Sequence, residues 1–296
     1  MNDFKDWALS IQSRTEQVLS ERLPAGDIAP RRLHQAMRYA VLGGGKRVRA
    51  LLTHAAAELC GGDPRKADAA AAAVELIHAY SLVHDDMPCM DDDDLRRGKP
   101  SCHKQYDDAT ALLVGDALQT LAFQLLAQPG LHSDAKRQLD MLHLLAIASG
   151  SRGMAGGQAI DLASVGHNLD QAELEHMHIH KTGALIRAAA LLGAHSSEQI
   201  APERIHAVDQ YAQSIGLAFQ VVDDILDTEA DTQTLGKTAG KDADSNKPTY
   251  VTILGLERAK QLAQELYENA LEPLAKFGDE GKRLNQLAQF ITQRNF

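Results

Sequence analysis

ADAAAAAVELIHA, the stretch from Ala67 to Ala79, decides the fold, because it is rich in strong helix formers and nothing in it interrupts a helix. Apolar residues also recur at helical spacing in three later segments, 112–125, 139–146 and 215–226. Alternation of β-branched residues is hard to find. The sequence therefore predicts an all-α protein with no confident strand.

Helix breakers lie between the periodic segments and predict about ten helices. They are Pro24 with Gly26, the stretch 61–64, Pro129 with Gly130, Gly193, and Pro202. No shift in composition and no long linker divides the chain. We therefore expect residues 1–296 to form a single domain, a helical bundle.

Composition and charge exclude several classes of protein. Lys and Arg total 30 against 40 Asp and Glu, a net charge of -10, and 44% of the residues are hydrophobic. This acidic balance argues against a nucleic-acid partner, and no run approaches the ~20 apolar residues of a membrane span. The three cysteines are too few for a disulfide framework, which predicts a reduced, cytoplasmic protein.

The first acidic cluster follows the Ala-rich helix. Pro88 should end that helix near Met87, which places Asp85 and Asp86 on its last turn and Asp91 in the loop beyond. Carboxylates at a helix C-terminus are unfavourable without a cation, and Mg²⁺ prefers oxygen ligands. The cluster is therefore a candidate metal site, although an isolated acidic loop is more often simply solvated.

The second acidic cluster lies within a helix. Gln220, Asp223 or Asp224, and Asp227 share one helix face by their spacing. One such motif is a weak signal, but two in one helical protein are a strong one. Both clusters are followed by loops that contain Lys or Arg.

Basic residues complete the candidate site. GGGKRVR, residues 43–49, offers backbone amides and bases at a helix start, which suits an anion, but it lacks the Ser or Thr of a P-loop. Further bases follow the acidic clusters or stand in later loops: Arg96, Arg97, Lys181, Lys237 and Lys247. Together these groups indicate a phosphate-rich substrate bridged by Mg²⁺.

At this point the sequence resembles the trans-prenyltransferases, the polyprenyl diphosphate synthases, over essentially its whole length. The motifs that carry the resemblance stand in the family's order: GGGKRVR, HDDMPCMDDDDLRRGKPSCH, GGQAIDL, HKTGALI, FQVVDDILD and LGKTAGKD. The resemblance implies an all-helical bundle around a deep central cavity and a homodimer. It also implies chain elongation from isopentenyl diphosphate and an allylic diphosphate, with three Mg²⁺ per active site.

The resemblance also implies a role for each motif residue. Those implied to hold Mg²⁺ are the carboxylates Asp85, Asp86, Asp91, Asp223, Asp224 and Asp227, with Asp161 as a supporting group. Those implied to bind isopentenyl diphosphate are Lys46, Arg49, His78 and Arg97. Those implied to clamp the allylic diphosphate are Arg96, Lys181, Lys237 and Lys247. The oxygens of Thr182 and Gln220 would face the developing cation.

Tyr80 is the candidate determinant of product length. It lies five residues before Asp85, ~7.5 Å along the helix axis, where an aromatic ring either closes the cavity or belongs to the core. Ser81 is too small to stop the chain. An aromatic at this place and two extra residues in the acidic motif are similar to the bacterial, farnesyl-producing members of the family, with geranylgeranyl synthesis as the alternative. We expect the growing tail to pass the turns around Ala72 and Leu76.

Two alternative functions, from other classes of protein, are also compatible with parts of the sequence. An HD-type phosphohydrolase would use His84 with Asp85, and His176 and His180 at i, i+4 would suit a transition metal. This interpretation leaves the second acidic cluster unused. A regulatory subunit would be expected to lack acidic ligands, whereas all are present. The sequence leaves open whether Arg294 reaches the site.

Overall fold

The computed structural model describes residues 2–167, 169–229 and 248–293. Within these ranges the chain is almost entirely helical, which confirms the predicted fold class. Three residues with predicted roles, Lys237, Lys247 and Arg294, lie outside the described residues.

The helices, in chain order, have these bounds: α1 Asn2–Arg22, α2 Arg31–Val41, α3 Val48–Cys60, α4 Pro64–Asp85, α5 Cys102–Gln105, α6 Asp108–Leu126, α7 Ala135–Ser149, α8 Met154–Ser164, α9 Gln171–His178, α10 Ala184–Ala194, α11 Pro202–Glu229, α12 Tyr250–Leu254, α13 Leu256–Leu271 and α14 Lys282–Thr292. A π-helical turn, Ile179–Gly183, joins α9 to α10, and a 3₁₀ segment, Glu272–Gly281, precedes α14. The described part of the chain thus has more helices than the ten expected.

Helix α4 contains the Ala-rich stretch and extends beyond it in both directions. The Asp63 side chain accepts a hydrogen bond from the Arg65 amide at 2.8 Å, and Pro64 occupies the first helical position, where its missing N–H costs nothing. The helix ends at Asp85, two residues before the expected end. Most of its residues are buried, as in a helix that is apolar on all sides.

A short hairpin replaces part of the predicted loop after α4. Strand β1, Leu95–Arg96, pairs with β2, Lys99–Pro100, in antiparallel register. The turn between them consists of Arg97 and Gly98, at φ 54° and 73°. Two left-handed residues are what a tight hairpin turn requires, and Arg at the first position hides this signal in the sequence.

The expectation that Gly193 separates two helices is wrong. Gly193 lies inside α10, and a methyl group on its Cα would overlap the backbone carbonyl of Thr53 in α3. The glycine therefore allows two helix backbones to approach closely, rather than ending a helix.

Two clusters of buried apolar side chains form the core. The larger joins α1 to α7 with α10, the start of α11 and α14, and the smaller joins α9, the rest of α11, α12 and α13. Helix α11 takes part in both clusters. It therefore holds the Gln220–Asp227 segment against a packed interior.

Helix α6 bears on the expectation that no segment is long and apolar enough to span a membrane. By length and composition Asp108–Leu126 suffices to cross a membrane, although 44% of its apolar window is buried inside the protein. A core helix passes the same test, so this feature is weak support for a membrane span. Leu112 and Leu113 on this helix are exposed.

Candidate active site

A cavity of about 650 Å³ opens where the C-terminal part of α4 faces α8, the π-helical turn and α11. Its wall is partly apolar and partly charged, and it brings together most of the residues singled out in the sequence. The predicted residues that line it are Arg49, His78, Tyr80, Ser81, His84, Asp85, Arg96, Arg97, Lys181, Thr182, Gln220 and Asp223.

The first acidic cluster is held by the turn after α4. The Asp91 amide donates to the Asp85 carbonyl at 2.8 Å, which returns the loop to the helix end. Burial raises the pKa of Asp85 to about 6; the Lys181 charge opposes this shift and Asp91 adds to it. Asp86 is buried beside the cavity rather than in its lining, and Arg96 Nε donates to it at 3.1 Å.

The second acidic cluster divides between the cavity and the protein interior. Gln220 and Asp223 line the cavity. Asp224 is buried, and its Oδ2 accepts a hydrogen bond from the Tyr250 amide at 2.7 Å. Neighbouring helix positions differ by ~100° in direction, so adjacent carboxylates face different surroundings. Asp227 is half-buried and does not line the cavity.

The glycine loop before α3 supports Arg97. Gly43, Gly44 and Gly45 all have positive φ, and the Gly44 carbonyl accepts a hydrogen bond from Arg97 Nη1 at 2.7 Å. A Cβ on Gly45 would lie 3.0 Å from the central carbon of the Arg97 guanidinium. Lys46 is exposed and not part of the lining. The loop thus acts on the site through a side chain that follows α4.

Arg47 belongs to a buried ion-pair network that the sequence analysis did not find. It has φ 48°, and its guanidinium donates to Glu16 at 2.7 Å and to Glu75 at 3.2 Å. The second oxygen of Glu75 accepts from the Ala50 amide at 3.1 Å. The network fixes the start of α3 beside Arg49. Only the spatial approach of three distant segments reveals it.

The basic side of the cavity is suited to an anion. Burial lowers the pKa of Arg49 to about 10, while Glu75 and Asp223 oppose this shift. Burial, with the positive charges of Arg49 and Arg97, lowers the pKa of His78 well below its usual value. His78 is therefore neutral at pH 7 and offers a hydrogen bond rather than a charge.

The acidic and the basic side chains of this cavity both gain from a bound ligand of opposite charge, because that ligand stabilises their charged forms. Burial and mutual repulsion disfavour charge on the carboxylates, and burial disfavours charge on Arg49 and Arg97. Carboxylate oxygens beside arginines are the donor set that Mg²⁺ and diphosphate use together. The residues present therefore fit a magnesium diphosphate.

The π-helical turn presents Lys181 and Thr182 to the cavity. Lys181 Nζ donates to Asp161 Oδ2 at 2.6 Å, which ties the turn to α8. Gly157 in α8 lets the two backbones approach, since a Cβ there would overlap the Lys181 backbone. Single-turn π segments often mark functional sites, but nothing in the HKTGALI pattern distinguishes one from an α-helix.

Tyr80 lines the cavity and is 7% exposed. Its ring meets the His84 ring edge-on, with centroids 5.8 Å apart. The Ser81 hydroxyl donates to the His78 carbonyl at 2.9 Å. The expectation for Ala72 and Leu76 is wrong, because both are fully buried and neither lines the cavity.

Gln158 in α8 is a cavity residue that the sequence analysis passed over. Both polar atoms of its side-chain amide are buried and lack a hydrogen-bond partner among the described residues. The residue lies in GGQAIDL, where attention fell on Asp161 alone. An unpartnered amide at a cavity wall suits a polar ligand group.

The histidines of the hydrolase interpretation do not converge. His84 Nε2 contacts the Leu112 carbonyl at 3.1 Å. His176 and His180 stack on each other, 4.3 Å between ring centroids, and neither lines the cavity that contains Asp85.

Comparison with known proteins gives one consistent result. The polyprenyl synthetase family signature matches residues 30–287. The chain is 45% identical to the farnesyl diphosphate synthase of Escherichia coli K12, over 99% of both chains. It is also 45% identical to geranylgeranyl pyrophosphate synthase 4 of Arabidopsis thaliana, over 99% of this chain and 78% of the relative.

Solved structures agree. A Marinomonas sp. MED121 structure, provisionally named a farnesyl-diphosphate synthase, superposes with a TM-score of 0.84 at 46% identity, over 98% of each chain. A Helicobacter pylori geranyltransferase, complexed with magnesium and isoprenyl diphosphate, superposes with a TM-score of 0.84 at 32% identity, over 97% of this chain and 96% of the other.

Proposed function

Because this chain belongs to the polyprenyl synthetase family, we propose that its cavity condenses isopentenyl diphosphate head-to-tail with dimethylallyl and then geranyl diphosphate, to give farnesyl diphosphate. The observation that carries the proposal is one cavity that combines Asp85 and Asp223 with a cluster of bases and an aromatic wall at Tyr80. The bacterial farnesyl diphosphate synthases, matched over nearly their full length, favour this product over geranylgeranyl diphosphate.

Asp85, Asp91 and Asp223 would hold Mg²⁺. Asp86 and Asp227 would support them from beside the cavity, and Asp224 from the interior, where it accepts the hydrogen bond of the Tyr250 amide. The bound ions supply positive charge to the diphosphate leaving group. We propose three ions per site. The Helicobacter pylori relative was solved with magnesium and isoprenyl diphosphate, which supports the metal.

Ionisation of the allylic substrate places new charge at two points. The C–O bond breaks with its electron pair going to the diphosphate, where Arg96 and Lys181 accept the charge. Lys237 and Lys247 would join them. Lys181 donates a hydrogen bond to Asp161 at 2.6 Å, and this contact orients the ammonium group at the site. The oxygens of Thr182 and Gln220 face the allylic cation.

Arg49, Arg97 and neutral His78 would hold the diphosphate of isopentenyl diphosphate, with Lys46 at the rim. Its double bond attacks the allylic cation, a C–C bond forms, and a proton leaves to the departed diphosphate to restore an alkene. Water would convert the cation to an alcohol. The apolar part of the wall, from Leu82, Leu162 and Phe219, excludes it.

We propose a homodimer assembled on α6. Leu112 and Leu113 are 48% and 53% exposed on this helix, beside each other and next to the His84 contact. Leu113→Glu should shift the sedimentation coefficient to that of a monomer, whereas Lys136→Glu, an exposed change on α7, should not. A single domain over residues 1–296 and a cytoplasmic location stay predictions.

Product analysis tests the function. The purified chain, Mg²⁺ and isopentenyl diphosphate are incubated with dimethylallyl or geranyl diphosphate, and the dephosphorylated products are separated by chromatography. Farnesol as the main alcohol from both primers supports the proposal. Geranylgeraniol as the main alcohol would identify the other product class, and release of inorganic phosphate without condensation would support a hydrolase.

A further inference from the structure

A second group of metal-ligating side chains lies on the loop after Asp91, outside the cavity lining. Ligand atoms of Asp92, Asp94 and His103 all lie within 4.8 Å of one another. Asp92 and Asp94 precede the β1–β2 hairpin, and His103 follows it in α5. The hairpin therefore brings three donors together from the two sides of one turn.

His103 is the residue that makes this group more than an acidic cluster. Its side chain is 2% exposed, and its Nε2 is buried without a hydrogen-bond partner among the described residues. That atom lies 4.0 Å from Asp92 Oδ1, too far for a hydrogen bond. The gap between this buried nitrogen and the carboxylate oxygen leaves room for a metal ion that binds both.

The other ring nitrogen is already engaged. His103 Nδ1 lies 3.1 Å from the buried Ser101 hydroxyl oxygen. When Nδ1–H donates to this oxygen, the lone pair of Nε2 is directed at the two carboxylates. Metal-ligating histidines are usually oriented by such a hydrogen bond through the second nitrogen.

We propose that Asp92, Asp94 and His103 bind a divalent first-row transition-metal ion, with Zn²⁺ as the best fit, at a site separate from the catalytic cavity. Zn–N and Zn–O bonds of about 2.0–2.2 Å at tetrahedral angles place ligand atoms about 3.4 Å apart, so these atoms, which lie within 4.8 Å of one another, need to approach by only about 1 Å. Imidazole nitrogen favours Zn²⁺ over Mg²⁺. Asp94 would exchange its 2.9 Å ion pair with Lys104 for the metal.

Such an ion would fasten the loop that contains Asp91, Arg96 and Arg97 to α5. Asp92 has φ 50°, a strained conformation for a non-glycine residue, and its amide donates to the Met87 carbonyl at 3.2 Å. The ion would hold this conformation in place. The site would thus restrain the loop without taking part in the reaction.

Zn²⁺ titration of the full chain tests the proposal, with Mg²⁺ in excess to occupy the cavity. The parent protein is Cys89→Ser with His176→Gln, which removes an exposed thiol and the exposed histidine pair as competing sites. Histidine ¹⁵N NMR gives the site-specific readout and calorimetry the affinity. We expect the Nε2 resonance of His103 to shift on saturation. His103→Gln or Asp94→Asn should weaken this site by at least ~10-fold, and Ser101→Ala by about 10–100-fold.

Asp108→Asn, an exposed carboxylate on α6 outside the group, is the matched control and should leave the affinity unchanged. Asp94 is exposed, so its variant keeps the test valid even if His103→Gln does not fold. An unshifted His103 resonance at saturating Zn²⁺, or the same isotherm for the parent and Asp94→Asn, would overturn the proposal. Either result would leave His103 and Asp92 as neighbouring side chains without a shared metal ion.

Discussion

Arg97 Nη1 donates a 2.7 Å hydrogen bond to the carbonyl of Gly44, so the glycine loop before α3 positions a base that follows α4. Both partners have left-handed backbones, at φ 54° and 109°. This hydrogen bond links the conformation of the loop to the position of the guanidinium. Strained positions of this kind concentrate at ligand sites, and here they hold a guanidinium against a cavity.

Two glycines in this loop provide a matched pair of variants. Gly44 and Gly45 both have positive φ, but a Cβ on Gly44 meets open space, whereas one on Gly45 lies 3.0 Å from the Arg97 guanidinium carbon. Backbone strain is therefore common to both variants, and direct steric contact with the Arg97 guanidinium is specific to Gly45→Ala. We expect Gly45→Ala to raise the KM for isopentenyl diphosphate about tenfold more than Gly44→Ala does.

Arg97→Ala should raise the KM for isopentenyl diphosphate more than that for geranyl diphosphate. Initial rates with each substrate varied in turn provide the check. Equal increases for both substrates would remove Arg97 from the isopentenyl diphosphate subsite, and Gly45→Ala would then lose its interpretation as well.

The acidic residues of the two motifs should separate into functional and structural groups. Asp85→Ala and Asp223→Ala should lower turnover by orders of magnitude with little change in thermal stability, because both residues line the cavity. Asp224→Ala should lower the free energy of unfolding by about 1–3 kcal/mol, since it leaves the buried Tyr250 amide without its acceptor. Near-normal turnover of either cavity variant at saturating Mg²⁺ would contradict its metal assignment.

Tyr80 should limit the product to fifteen carbons. Tyr80→Ala removes a buried ring from the cavity wall and touches no charged group, so the main product should shift to geranylgeranyl diphosphate or longer. The expected stability cost is ~3 kcal/mol. Tyr80→Phe keeps the ring and should still give farnesyl diphosphate. An active Tyr80→Ala enzyme that stops at fifteen carbons would assign chain length to another part of the wall.

His54 should make the protein less stable in acid. Burial lowers its pKa from 6.5 to about 4, so below pH 6.5 the unfolded chain takes up a proton that the folded protein does not. The stability present above pH 6.5 is therefore lost as the pH falls toward 4, by up to ~1.4 kcal/mol per pH unit. Urea unfolding between pH 7 and 5 should have a shallower pH dependence in His54→Gln, by about one proton.

The exposed His176 provides the control, since His176→Gln should keep the pH dependence of the unsubstituted protein. A His54→Gln protein with an unchanged slope would show that another buried group takes up the proton.

The sequence predicts those features that depend on near neighbours in the chain. Helical periodicity gave α4, α6, α7 and α11, and the two acidic motifs and the basic loops were recognisable as short patterns. The family resemblance predicted that these motifs form one site, and most of the residues of that site line one cavity.

Features that depend on distant segments were missed. The Arg47–Glu75 ion pair, the Asp224–Tyr250 hydrogen bond and the approach of Gly193 to Thr53 each join residues at least 26 positions apart. Gly193 shows the ambiguity well, because a glycine that ends a helix and one that admits a neighbouring backbone look alike in sequence. The hairpin after α4 was missed for a different reason, since Arg rarely adopts the left-handed conformation found at Arg97.

The π-helical turn, Ile179–Gly183, is a place where this chain can absorb a change in length. A π segment contains an extra residue relative to an α-helical path, and each residue advances an α-helix by ~100°. A one-codon deletion here would remove that extra residue and restore a regular helix without rotating α10, so that Leu185 and Ile186 would keep their places in the core. At this turn, loss of one residue would therefore spare the core and change only how Lys181 and Thr182 face the cavity.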